Sequence, residues 1–123
     1  KVINNDMVSG DYLSSEGIKG EDVWGTRAKW MKLFGKYQEE NVAVVILDHE
    51  KNPGYPAYWH ARGYGLFAVN PLGQNVFSEG KETMDLRLKK GESVRFAFRT
   101  LVCSGDISNE EINVLGKEFS GLY

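Results

Sequence analysis

At 123 residues the chain is long enough for one domain with a single modest hydrophobic core. Its net charge of −2 and the lack of any basic run argue against a nucleic-acid partner, and no apolar run reaches the roughly 20 residues of a membrane-spanning helix. The lone Cys103 cannot form an internal disulfide, so cysteine usage leaves the cellular compartment open.

The chain starts without a methionine or a signal peptide, so we expect it to be the C-terminal portion of a longer protein. Residues 1–22 are polar and rich in glycine, serine and asparagine, which predicts a strand remnant or an irregular arm. Residues 23–34 alternate between apolar and polar side chains. This alternation predicts a half-buried strand with Arg27 on its solvated face.

Residues 35–40 predict a polar turn that closes a first hairpin. Residues 41–48 form a continuous apolar run rich in β-branched side chains, which is typical of a central strand covered on both faces. A proline-rich loop follows at residues 48–57. We interpret residues 58–70 as one extended strand and residues 71–80 as another loop.

Residues 83–88 and 93–103 alternate on either side of a tight polar turn, which predicts a second hairpin. The end of the chain is different, because Ser108 precedes Glu111 by the three residues of a capping box and apolar residues then recur at helical spacing. The sequence therefore predicts one all-β, mainly antiparallel domain over residues 1–123. We expect a β-sandwich, or part of one, with a short C-terminal helix from about residue 109 to 119.

The central run, residues 58–70, carries the strongest prediction of a functional site. In a strand, alternate residues share a face, so six side chains of this run line one surface. They are Tyr58, His60, Arg62, Tyr64, Leu66 and Asn70. Such a polar row is costly to bury unless its groups find partners, and we interpret it as the functional face.

The residue types of this face suggest candidate roles. His60 can act as general acid or base near neutral pH, while Arg62 and Tyr64 can orient a substrate. Tyrosines also offer a flat apolar ring with a hydroxyl tip, which suits a sugar. The alternative is a structural network in which Arg62 pairs with Asp48 or Glu50.

Five residues on or around this face are candidates for binding a ligand. They are Tyr58, Asn70, Arg27, Asp48 and Tyr55. The loop at residues 48–57 would form one wall of the pocket, with Tyr55 as a mobile lid residue. A metal site that uses His49 and His60 is the weaker alternative, because neighbouring residues point in different directions and a closed site needs about four ligands. We therefore predict no metal and no cofactor.

Several stretches of the sequence also carry a family resemblance. They are the run at 58–73, Asp48-His49-x-x-Asn52-Pro53, Ser15-Glu16-Gly17 and Trp24-Gly25-x-Arg27-Ala28-x-Trp30. From about residue 14 to 119 the chain resembles the C-terminal part of a longer bacterial family of unknown function, named "methane oxygenase PmoA-like". The resemblance implies a mostly-β protein that is related to sugars and located in the periplasm or outside the cytoplasm. It does not imply an oxygenase, since the sequence lacks the spanning helices and metal ligands of such an enzyme.

Two functions follow as hypotheses. The first is a carbohydrate-processing enzyme that uses His60 as acid or base, and the second is a non-catalytic carbohydrate-binding or structural domain. Both predict a carbohydrate or another small polar ligand as partner. Sheet edges left unpaired would also favour a homodimer or an N-terminal segment that covers them.

Overall fold

The computed structural model describes residues 2–4 and 7–123, and its strands form two antiparallel sheets. In chain order the strands are β1 (Val2–Asn4), β2 (Met7–Ser14), β3 (Trp30–Tyr37), β4 (Glu40–Asp48), β5 (Tyr58–Arg62), β6 (Leu66–Asn70) and β7 (Phe98–Ser104). The helices are a 3-10 helix at Gly20–Val23, α1 (Gln74–Phe77) and α2 (Asn109–Ser120). The predicted all-β fold with a C-terminal helix is confirmed, and the two sheets give it a sandwich-like form.

The larger sheet has the strand order β1-β2-β3-β4-β7, and the smaller one is the hairpin β5-β6. One face of the larger sheet packs against α2 through a core that includes Trp30, Val45, Leu47, Ile112 and Phe119. The other face packs against the β5-β6 hairpin through a second core. This second core includes Tyr12, Met31, Trp59 and Ala61. The larger sheet thus separates two apolar layers.

The apolar run of β4 forms an interior strand of the larger sheet, as predicted, because β4 pairs with β3 on one side and β7 on the other. The turn before it is tighter than the predicted loop at 35–40. Only Gln38 and Glu39 separate the paired residues Tyr37 and Glu40, and both have positive φ angles, of 49° and 66°. Positive φ at both central positions is the pattern of a type I′ hairpin turn.

The predicted strand at 23–34 is wrong over its first half, since β3 begins only at Trp30. Gly25 has a φ of +69°, which favours glycine and lies outside the range of a strand. The backbone at 25–28 instead bonds to β5 and the residue before it. The Gly25 N–H donates to the Trp59 carbonyl at 2.8 Å, and the Trp59 N–H donates to the Thr26 carbonyl at 3.0 Å.

The central run is two strands rather than one. β5 and β6 are joined by a three-residue turn at 63–65, where Gly65 adopts a φ of +98°. The loop predicted at 71–80 contains the single-turn helix α1. Residues 1–22, expected as a strand remnant or an irregular arm, contribute β1 and β2, while Lys1, Asn5 and Asp6 lie outside the described residues.

The second predicted hairpin, 83–88 with 93–103, does not form. Only its last part is a strand, because β7 pairs with β4 and residues 83–88 are left without a sheet neighbour. Residues 81–97 run over the surface as an irregular segment. Alternation alone therefore predicted a strand that lacks a pairing partner. None of the helices among the described residues is long and apolar enough to cross a membrane.

The capping box of α2 is confirmed, as the Ser108 hydroxyl accepts a hydrogen bond from the Glu111 N–H at 3.2 Å. A buried lysine fixes the loop that precedes the helix. The Lys32 ammonium donates to the Asp106 carboxylate and to the Ile107 carbonyl, both at 3.0 Å. This hydrogen bond from Lys32 is the main reason that the pKa of Asp106 lies below its ordinary value.

We expect Lys32→Met to lower the free energy of unfolding by about 1–3 kcal/mol at pH 7, because it leaves the Ile107 carbonyl without its donor. The pKa of Asp106 is lowered in the folded state, so its contribution is present above the unfolded value of 3.8 and is lost as the pH falls further. The difference in the free energy of unfolding between wild type and variant should therefore become smaller below about pH 4. Urea unfolding at pH 7 and pH 3 measures this, and a difference that is constant or grows would contradict it.

Candidate functional site

The predicted face is retained in the hairpin. Tyr58, His60 and Arg62 share one face of β5, and Asn70 lies opposite Tyr58 on the same face, which we call the hairpin face. The opposite face, with Trp59 buried, packs against the larger sheet. The three-residue turn preserves the alternation, because it pairs Arg62 with residue 66.

An indole ring organises the middle of the hairpin face. The Trp24 ring contacts the His60 ring edge-on at 6.1 Å, and the Arg62 guanidinium lies 4.4 Å from the centre of the same indole. Phe77 of α1 contacts both rings, at 5.7 Å from His60 and 5.3 Å from Trp24. Arg62 thus stacks on an aromatic ring instead of pairing with Asp48 or Glu50, which was the structural alternative.

Polar contacts hold the other end of the hairpin face. The Tyr58 hydroxyl donates to the Glu82 carboxylate, which also accepts from Arg27 at 2.5 Å. Arg27 lies 4.6 Å over the Tyr58 ring and donates to the carbonyls of Gly54 and Pro56 at 3.1 and 2.7 Å. The hydrogen bond to Glu82 raises the pKa of Tyr58, and the Tyr58 and Arg27 contacts lower the pKa of Glu82.

Tyr64 lies apart from this group. It occupies the turn between β5 and β6 and is 68% exposed. The Asn70 side chain accepts a hydrogen bond from the Leu72 N–H at 3.2 Å and so stabilises the start of the next loop. The structure therefore brings His60 together with Arg62 but not with Tyr64, and the catalytic role of these three residues stays a prediction.

His49 is buried, and its contacts hold the fold together. It is 1% exposed, its Nε2 lies 2.6 Å from the Leu122 carbonyl, and its Nδ1 accepts from the Lys51 N–H at 3.1 Å. These contacts place the proton on Nε2, which donates to Leu122. The ring also packs edge-on against Phe119 at 5.0 Å. Within the described ranges, no group of three or more His, Cys, Asp or Glu side chains is placed to hold a metal ion.

A concave site lies at the end of the fold where β4 runs into the loop at 48–57. This cavity, which we call the end cleft, has a volume of about 440 Å³. Four separate segments supply its lining: the turn after β2, the start of β3, the loop after β4, and α2. The lining residues are Ser15, Glu16, Lys29, Trp30, Asp48, Glu50, Tyr55, Asn113, Gly116, Lys117 and Ser120.

Asp48 and Tyr55, both predicted as ligand-binding residues, lie in the wall of the end cleft rather than beside His60. Asp48 is buried and accepts from the Asn52 side chain at 2.7 Å and the Ala57 N–H at 2.9 Å, and burial raises its pKa. Burial also raises the pKa of Tyr55 to about 12, helped by the nearby carboxylates, including that of Glu16. Asp48 is therefore fixed by its partners, and Tyr55 stays protonated at neutral pH.

The exposed charged side chains of the end cleft do not pair with one another. Glu16, Lys29, Glu50 and Lys117 are exposed, and in the part of the chain that the structure describes their charged groups make no hydrogen bond or ion pair. Two carboxylates that can accept hydrogen bonds and two ammonium groups that can donate them thus line one cavity.

Sequence reasoning missed most of this lining. Lys29, Asn113, Lys117 and Ser120 carry no local motif, and Glu16 entered only through the Ser15-Glu16-Gly17 part of the family resemblance. The residues come from segments up to about one hundred positions apart, so only the fold brings them together.

A model for a family of unknown function, DUF6807, matches residues 3–117. The chain belongs to this family. No curated protein and no solved structure matches it. The description of DUF6807 names no activity, so the likeness to the PmoA-like family and its link to sugars stay predictions.

We expect Asp48→Asn to lower the free energy of unfolding by about 1–3 kcal/mol, because the amide turns one of two buried acceptors into a donor that faces a donor. The control is Glu50→Gln, which changes an exposed carboxylate in the same cleft and should stay within about 0.5 kcal/mol of wild type. Urea unfolding of the two variants measures the difference. Equal stabilities would show that the Asp48 contacts are dispensable.

Proposed function

We propose that this DUF6807 domain binds a neutral saccharide in the end cleft. The proposal is based on one cavity of about 440 Å³ that is lined by two carboxylates and two ammonium groups, none of which pairs with another described residue. This volume lies in the range of small-molecule sites. A saccharide needs acceptors for its hydroxyl protons and donors for its hydroxyl oxygens, and the cleft supplies both.

The balance of charge supports a neutral ligand. Glu16, Asp48 and Glu50 oppose Lys29 and Lys117, so neither an anionic nor a cationic ligand finds a cavity of uniformly opposite sign. The Tyr55 side chain adds an aromatic ring and a protonated hydroxyl to one wall. These are the features with which proteins hold the flat face and the edge of a sugar.

The wall formed by α2 is open at one position. Gly116 lies in the helix interior, and a Cβ atom built on it meets no atom within 4 Å. A glycine in a helix interior costs roughly 0.5–1 kcal/mol relative to alanine. The room left at Gly116 gives a ligand access to the backbone of α2, so this position allows the cleft to be filled without disturbing the core.

We expect Gly116→Phe to abolish saccharide binding by occupying the end cleft, while the fold is retained because the new side chain enters open space. Gly116→Ala is the matched control and should keep binding while raising the free energy of unfolding by about 0.5–1 kcal/mol. Binding is measured by NMR chemical-shift titration with neutral di- to tetrasaccharides of glucose, galactose, mannose and xylose. The proposal fails if wild type binds none of them, or if the Phe variant binds as well as wild type.

Catalysis at the hairpin face is the second candidate function. Its support is local: the indole N–H of Trp24 is buried without a hydrogen-bond partner among the described residues, and the neighbouring His60 imidazole also makes no hydrogen bond there. A ligand beside the exposed Arg62 would offer a hydrogen-bond partner to the partly buried His60. His60 would then serve as general acid or base, as the sequence predicts.

His60→Ala separates the two functions. If the end cleft is the binding site, the variant should bind the same saccharides with an affinity within about twofold of wild type, since His60 is not part of the cleft lining. If the hairpin face is catalytic, hydrolysis of p-nitrophenyl glycosides by the wild type should fall to the uncatalysed rate in the variant. Loss of saccharide binding in a folded His60→Ala protein would contradict the end-cleft proposal.

A further inference from the structure

β7 is the outer strand of the larger sheet and presents a long unpaired edge. It pairs with β4 over seven consecutive residues without a bulge, and within the described residues no backbone hydrogen bond joins its outer edge to another segment. The strand contains no lysine and no proline, which are common devices for blocking an exposed edge. Such an edge is suited to pairing with another strand.

The surface beside this edge is apolar. Phe98 and Val102 are 38% and 82% exposed, and they lie on the sheet face that carries the β5-β6 hairpin, whose core extends as far as Ile46 of β4. Val44, which pairs with Val102 from β4, is only partly buried. The outer part of this face therefore combines an open edge with exposed apolar side chains.

We propose that β7 pairs antiparallel with β7 of a second copy, with the two-fold axis at Thr100. In this register Phe98 lies opposite Val102 of the second copy, and Val102 lies opposite its Phe98, so both exposed apolar residues gain an apolar partner. Arg99 lies opposite Leu101 of the second copy. The strand is thus complementary to itself, which is what a two-fold interface requires.

Neighbouring registers are less favourable. An axis at Arg99 places two guanidinium groups opposite each other, and an axis at Leu101 places Phe98 opposite Ser104. Moving the axis by one residue shifts the pairing by two residues and is therefore penalised by charge or by lost apolar contact. The chemistry of the strand itself selects Thr100 as the centre.

The start of β7 is held in place for such pairing. The Asn52 side chain donates to the Ala97 carbonyl and accepts from the Ala97 N–H, both at 2.7 Å. The residue before the strand is therefore fixed on both of its backbone groups, and less conformational entropy is lost when a second strand binds. The result would be one continuous sheet of ten strands from two five-stranded sheets.

Sedimentation velocity over 1–200 μM protein tests the interface. We expect a concentration-dependent dimer for wild type and at least a tenfold weaker association for Val102→Lys, which places a charged group opposite Phe98 of the second copy. Val114→Lys is the control, since Val114 is 58% exposed on α2 and should leave the association unchanged. A wild type that is monomeric throughout, including one that instead captures a foreign strand, would overturn the proposal, as would a dimer insensitive to Val102→Lys.

A cross-link tests the register. With Cys103→Ser as background, Thr100→Cys places the two new thiols opposite each other on the axis, and mild oxidation should give a covalent dimer on non-reducing gels. Ser104→Cys in the same background is four residues from the axis and should not cross-link. Efficient cross-linking through position 104 rather than position 100 would refute the Thr100 register.

Discussion

One buried amide side chain links the parts of the molecule on which the rest depends. Asn52 donates to the Asp48 carboxylate and to the Ala97 carbonyl and accepts from the Ala97 N–H, each at 2.7 Å. Asp48 in turn accepts from the Ala57 N–H. The end of β4, the loop that follows, the start of β5 and the start of β7 are therefore fixed relative to one another. These hydrogen bonds therefore fix both the wall of the end cleft and the outer edge of the larger sheet.

A second set of contacts fixes the hairpin on the sheet. The Trp59 indole N–H donates to the Ala28 carbonyl at 2.8 Å inside the core. The Tyr12 hydroxyl lies 3.0 Å from the Arg62 carbonyl and 2.7 Å from the Leu66 carbonyl, so it closes the base of the hairpin turn from the strand beneath. Burial raises the pKa of Tyr12 to about 12, and the hydroxyl keeps its donor proton at neutral pH. These hydrogen bonds thus fix the β5-β6 hairpin, and with it the hairpin face, on the larger sheet.

The parts of the fold that sequence could predict are those whose signals are local. β4 was predicted from a short apolar β-branched run, and α2 from the spacing of Ser108 and Glu111. The shared face of Tyr58, His60 and Arg62 was also predicted, although the strand divides, because a three-residue turn keeps the alternation in phase. The prediction of a strand at 83–88 was wrong, because alternation within one segment does not show whether a sheet edge is available for it to pair with. The end cleft was missed because its lining comes from four distant segments.

The residues after α2 are part of the folded structure, although Leu122 and Tyr123 are 46% and 60% exposed. Leu122 supplies the carbonyl that the buried His49 imidazole uses, and the Tyr123 carbonyl accepts from the Lys51 ammonium at 2.8 Å. Trimming these two positions to make a shorter protein would leave a ring nitrogen inside the protein with nothing to receive its proton. The loop at 48–57, which forms one side of the cleft, would then lose its two hydrogen bonds to residues 122 and 123. These two residues therefore contribute to the fold, and a shortened protein should retain them.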